Sequence, residues 1–166
     1  MRIFLIGFMG SGKSHWGKRW AASTGMTFYD LDTLIEEKEQ MTIDQLFEKK
    51  GEAYFRKVES AMLSTLVDVS NGILACGGGT PCFDDNMLRI NEMGTSIYLK
   101  ATPLQLLNNL LPEIEKRPLF KKVNNAEILF FIEQKLAERK TYYEQARLQI
   151  PIESLTDSSI NDIVNL

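Results

Sequence analysis

The chain has 166 residues, 44% apolar and 25% charged, with a net charge of −3. A chain of that length buries a core without a metal or disulfide staple, and its slight acidity excludes a protein whose main work is coating nucleic acid or an anionic membrane. Cys76, Cys82 and the single His15 are too few for a disulfide framework or a four-ligand zinc site, and no apolar run approaches the ~20 residues of a membrane span.

Ile3 to Ile6 is a continuous apolar run, as expected of a parallel strand covered on both faces. Thr27 to Tyr29, Ile73 to Cys76 and Ile97 to Leu99 read as further strands, and Ile150-Pro151-Ile152 as an edge strand, because its proline forfeits a ladder donor. Between the strands the spacing turns helical. Trp16 and Trp20 share one face. Thr42 with Gln45 forms a capping box for a helix that stops at Gly51, and Phe55, Val58, Met62 and Leu66 continue as a second helix. Met87 to Met93 ends at Gly94, and Thr102-Pro103 opens a helix carrying Leu107, Leu110 and Leu111. No linker or repeat divides the chain, so 1–166 reads as one cytoplasmic α/β domain: a five-stranded parallel sheet flanked by helices. Its ligands should gather beyond the carboxyl ends of the strands.

Gly7-Phe8-Met9-Gly10-Ser11-Gly12-Lys13-Ser14 follows the first strand and runs into a helix, which fits G-x-x-x-x-G-K-[ST] in its required context. Glycines let backbone N–H groups face phosphate oxygens, and the helix N-terminus adds open donors. Lys13 would reach the β- and γ-phosphates and Ser14 would ligate Mg²⁺, so the implied ligand is ATP or GTP with magnesium. No Asp ends the Ile73-to-Cys76 strand, which leaves Asp30 as the second magnesium anchor.

Asp30 and Asp32 follow the second strand, where alternation sends both carboxylates the same way. One suits magnesium and the other an attacking hydroxyl; the plainer alternative is helix capping by Asp32. Arg139 falls on the apolar stripe of Leu129, Ile132, Leu136 and Tyr143, either as an anion partner or as a side chain snorkelling at the rim. Arg56, with Glu59 one turn on, is either a steadied anion fork or a surface ion pair. Gly77-Gly78-Gly79 lets a backbone approach something closely, unless it is only a tight turn. The charged stretch from Leu111 to Asn125 reads as a lid bearing Arg117, or as a solvated loop.

Taken together, Gly7 to Ser14, Asp30-Leu31-Asp32, Gly51 to Arg56, Gly77-Gly78-Gly79, Arg117-Pro118-Leu119 and Arg139 to Tyr143 resemble the shikimate kinase family over residues 1 to about 147. The resemblance implies a P-loop kinase fold, with a substrate-binding helical segment at about 31–60 and a lid at about 111–125. It also implies ATP- and Mg²⁺-dependent phosphorylation of the 3-hydroxyl of shikimate, on the way to chorismate and aromatic amino acids. ATP would lie on Gly10, Ser11, Gly12, Lys13, Ser14, His15 and Arg117, and Mg²⁺ on Ser14 and Asp30. Shikimate would lie on Asp32, Arg56, Gly78, Gly79 and Arg139, with both arginines on its carboxylate. Lys13, Asp32 and Arg117 would be the catalytic set, Phe47 and Phe55 an aromatic wall, and Glu59 the residue that orients Arg56. The chain departs from the family at His15, often Thr, at Leu110, where many members carry an adenine-stacking arginine, and at Ile152 to Ser158, which lacks an arginine. A monomer is expected.

Overall fold

Strand β1 (Arg2–Ile6) has four consecutive side chains, Ile3 to Ile6, with no exposed surface. A strand so covered belongs inside a parallel sheet. β1 pairs with β3 (Gly72–Ala75) on one side and β4 (Thr95–Lys100) on the other, while β2 (Thr27–Asp30) and β5 (Leu148–Pro151) form the edges. All pairings are parallel, in the order β2-β3-β1-β4-β5. These are the five strands expected from the sequence, with β5 starting two residues earlier and ending at its proline. The structure is a computed structural model and describes residues 1–114 and 124–164.

Alternation along the strands divides the core in two. Phe4, Ile6, Leu74 and Tyr98 face one side with Leu46, Phe55, Ile90, Leu106 and Ile132. Ile3, Leu5, Ile73, Ile97 and Leu99 face the other with Trp20, Ala21 and Ile160. On the second side lie α1 (Lys13–Thr24) and α7 (Ser159–Val164), where the Trp20 indole N–H donates to the Thr156 carbonyl at 3.0 Å. The first side is covered by α2 (Leu31–Glu39), α3 (Ile43–Thr65), α4 (Asn86–Met93), α5 (Pro103–Ile114) and α6 (Asn125–Tyr143). Among the described residues no helix is long and apolar enough to cross a membrane.

Three boundaries carry information. α3 opens on the complete Thr42–Gln45 capping box and breaks at Gly51, whose φ of 79° and ψ of 167° are not helical, so the expected stop and restart are both present within one kinked element. α2 begins at Leu31 with Asp30 as its N-cap, Oδ1 accepting from the Asp32 N–H at 3.2 Å. Asp30, not Asp32, therefore caps, and Asp32 enters the site from a first helical turn rather than by strand alternation. α5 continues through Pro112 to Ile114, so residues 111–114 are helical where a loop was expected. Pro112 removes one backbone donor, but Leu106, Leu107 and Leu110 are buried in the core and hold the helix. Residues 115–123, with Arg117, lie outside the described residues.

Candidate active site

The pairing register places Ala75 beside both Leu5 and Asp30. The loop after β1, the start of α2 and the triple glycine after β3 therefore meet at one sheet edge, where ligands of such sheets bind. In the loop, Gly10 and Gly12 have φ of 80° and 88°, a left-handed turn that a side chain would strain. Gly12 caps α1 without a side-chain bond, so the first N–H groups of α1 stay open to an anion. The Ser11 hydroxyl is buried without a hydrogen-bond partner among the described residues. Lys13 Nζ donates to the carbonyls of Gly7 and Phe8 at 2.9 Å each. Desolvation in that fold-back lowers its pKa to about 8, against the opposing pull of Asp32 and Asp30. His15 is exposed and edge-on to Trp16 at 5.4 Å, without a hydrogen bond among the described residues. Leu110 packs against the loop at Gly10, where a Cβ would stand 2.9 Å from its Cγ.

Ser14 Oγ donates to Asp30 Oδ2 at 2.6 Å. Among the described residues no group of three or more His, Cys, Asp or Glu surrounds a common point. A hydroxyl beside one carboxylate does not make an all-protein metal cage, but it suits Mg²⁺, which keeps waters and takes one or two protein oxygens plus phosphates. The donor set therefore fits magnesium.

Burial raises the Asp32 pKa to about 6, and the neighbouring carboxylates of Asp30 and Glu59 push the same way while Lys13 opposes them. Its ordinary value is 3.8, so the folded state binds the proton more tightly than the unfolded chain. Below both values the site costs nothing, and the stability penalty grows as pH rises from 3.8 to about 6. Asp32→Asn is accordingly expected to raise Tm at pH 7 and to leave it nearly unchanged below about pH 3.5, as measured by scanning calorimetry.

The three glycines each leave room for a different side chain. A Cβ at Gly77 would stand 3.0 Å from Asp32 Oδ1, at Gly78 3.3 Å from Arg139 Nη1, and at Gly79 2.7 Å from Arg56 Nη2. The close approach foreseen from sequence is thus made by the site's own acid and both arginines. Arg56 Nη1 donates to Glu59 at 2.8 Å, and its Nη2 and Nε to Glu52 at 3.0 and 3.2 Å. Glu59 is 1% exposed and also accepts from the Thr80 hydroxyl at 2.5 Å. The Arg139 guanidinium lies 5.3 Å from the centre of the Phe8 ring. One turn on, the Tyr143 hydroxyl donates to the Gly78 carbonyl and burial raises its pKa. Phe47 and Phe55 stack with centroids 4.7 Å apart. Cys76 is buried and its pKa is pushed far above the usual thiol range by desolvation, and Cys82 is raised to about 11 by burial, so neither is a ready nucleophile.

Lys13, Ser14, Asp30, Asp32, Arg56, Gly78, Gly79 and Arg139 come from separate parts of the chain and meet at this edge, whereas His15 stands on the exposed surface of α1. Sequence reasoning gave no role to Thr80, and it took Gly77 only as part of the triple glycine and Tyr143 only as part of the Arg139 stripe. Gly77 carried the signal of the glycine run and Tyr143 that of its place one turn beyond Arg139, whereas Thr80 carried none.

The strand order and the glycine-rich turn from β1 into α1 define the P-loop kinase fold. A family model described as shikimate kinase matches residues 9–165. The chain belongs to the shikimate kinase family. It is 37% identical over 165 residues to the shikimate kinase of Parabacteroides distasonis, covering 99% of this chain and 95% of that one. With the shikimate kinase of Alkaliphilus oremlandii identity is 40% over 164 residues, 98% and 96% of the two chains. The crystal structure of the Bacteroides thetaiotaomicron shikimate kinase superposes with a TM-score of 0.92 at 35% identity, covering 100% and 99% of the two chains. That of the Acinetobacter baumannii enzyme in complex with shikimate gives 0.82 at 30% identity, covering 99% and 90%.

Proposed function

We propose that this chain transfers the γ-phosphoryl group of ATP to the 3-hydroxyl of shikimate, giving 3-phosphoshikimate and ADP. The observation that carries the reading is the gathering of two guanidinium groups and one partly buried carboxylate around the triple glycine, next to the phosphate loop. A nucleoside acceptor carries no carboxylate and has no use for that pair of arginines; gluconate does carry one, and the acceptor assay below separates it from shikimate.

In the proposed mechanism, the open N–H groups at the start of α1 and Lys13 hold the phosphates. Lys13 leaves the Gly7 and Phe8 carbonyls to do so. Ser14 and Asp30 would hold Mg²⁺, which when bound would neutralise phosphate charge. Arg56 and Arg139 grip the substrate carboxylate, and Gly78 and Gly79 line its ring. Asp32 accepts the hydrogen bond of the reacting hydroxyl. As the oxygen–phosphorus bond forms and the bond to the β–γ bridging oxygen breaks, the hydroxyl proton passes to Asp32. Arg117, outside the described residues, adds positive charge to the transferring group, and Gly10, Ser11, Gly12 and the backbone N–H of His15, in the first turn of α1 with its side chain turned to solvent, complete the nucleotide contacts. The chain is taken to act as one domain and as a monomer. A reducing cytosol suits its two free thiols.

Coupled ADP release with shikimate, quinate, gluconate and no acceptor tests the reading. Release that depends on shikimate alone is the expected result. Equal release with gluconate, or release independent of any acceptor, would overturn it.

A further inference from the structure

Between the triple glycine and α4 runs a short segment, Thr80 to Asp85, to which the mechanism gives no part. It is tied twice to α3, the helix that carries Arg56. The Thr80 hydroxyl donates to Glu59 Oε1 at 2.5 Å and the Ser60 hydroxyl to Asp84 Oδ2 at 3.0 Å. Asn86 Nδ2 adds a bond to the Thr80 carbonyl at 3.0 Å. Within the segment, Asp84 and Asp85 hold φ of 49° and 56°, left-handed conformations that residues with a Cβ rarely adopt and that persist only where the surroundings fix them. Between these ties the Phe83 ring comes to lie against the Arg56 guanidinium, with Cζ 4.1 Å from the ring centroid.

We propose that Phe83 is a positioning residue for Arg56, setting the plane of its guanidinium and thereby the affinity for the acceptor's carboxylate; this rests on the acceptor reading above. Phe83 is 37% exposed, more than a ring placed to fill a core would be. An aromatic face attracts a guanidinium laid flat on it and leaves the N–H groups at its edge free. Arg56 carries five N–H donors, and its bonds to Glu59 and Glu52 engage one each on Nη1, Nη2 and Nε. One N–H on each Nη remains uncommitted among the described residues. Gly79 closes the guanidinium from another side. Ring, glycine and two carboxylates together fix the direction of the free fork.

Phe83→Leu keeps apolar bulk and removes the aromatic face. It is expected to raise KM for shikimate about five- to tenfold, with kcat and KM for ATP held within about twofold and Tm little changed. Phe83→Tyr, which keeps the face, is expected to restore the parental KM. In an Arg56→Lys background the leucine change is expected to add nothing, because a lysine has no plane to set. An unchanged KM in Phe83→Leu, an equal loss in kcat, or the same fold increase in the Arg56→Lys background would overturn the assignment. Shikimate-dependent ADP release by the parent is measured first. Its absence would overturn the acceptor reading and this inference with it, whereas parental release together with an indifferent Phe83→Leu would overturn this inference alone.

Discussion

Asp32→Asn is expected to lower kcat by about 10²- to 10⁴-fold while leaving KM for ATP nearly unchanged. The asparagine keeps the shape of the side chain and its place in the first turn of α2, but it cannot take a proton. Burial beside Asp30 and Glu59 lifts the carboxyl to about 6, basic enough to share a proton with an attacking hydroxyl and still mostly ionised at pH 7. The same values set the pH profile of the parent. kcat/KM for shikimate should rise as pH passes about 6 and Asp32 loses its proton. kcat/KM for ATP, which reports the nucleotide-free enzyme, should fall as pH passes about 8 and the folded-back Lys13 loses its ammonium charge. Initial rates from pH 5 to 9 test both limbs, and in Asp32→Asn the acid limb should vanish. Turnover unchanged in that variant would remove Asp32 from the mechanism.

The parts of the molecule that were legible in the sequence are those whose cause is local. Ile3 to Ile6 has to be central because no polar side chain interrupts it, and the loop from Gly7 to Ser14 has to turn tightly because its glycines stand where φ is positive. Gly51 interrupts α3 for the same reason. The sequence misled where a distant contact decides. The stretch from Leu111 reads as a loop, yet core packing of the leucines before it carries α5 through Pro112 to Ile114. One miss is local: Asp30-Leu31-Asp32 reads as alternation, yet the chain turns into α2 at Leu31, where the Asp30 carboxylate captures the Asp32 N–H. Thr80 and Glu59 are 21 residues apart, and nothing in either local pattern pairs them. Tyr143 reads as one more apolar residue of its stripe; its hydroxyl acquires a partner only when β3 brings Gly78 beside α6.

Arg139→Ala is expected to weaken shikimate binding by about 2 to 5 kcal/mol, or roughly 30-fold to several thousandfold in KM. Arg56 shares its charge with Glu59 and Glu52, whereas Arg139 has no carboxylate partner within salt-bridge distance among the described residues. Its guanidinium is partly buried, lies over the Phe8 ring and faces Gly78. A charge withdrawn from water without an acid beside it is stabilised only when an anion arrives. The energetic consequence is separable from folding. Losing a structural ion pair would lower Tm, while losing an arginine reserved for a ligand should leave Tm unchanged or raise it in the absence of shikimate. Arg139→Lys should recover little, since a single ammonium cannot offer two parallel donors to a carboxylate. Titration calorimetry with shikimate, beside thermal scans of the free variants, reads both effects. Parental affinity in Arg139→Ala would mean that the side chain merely lies along the rim of α6 with its head in water.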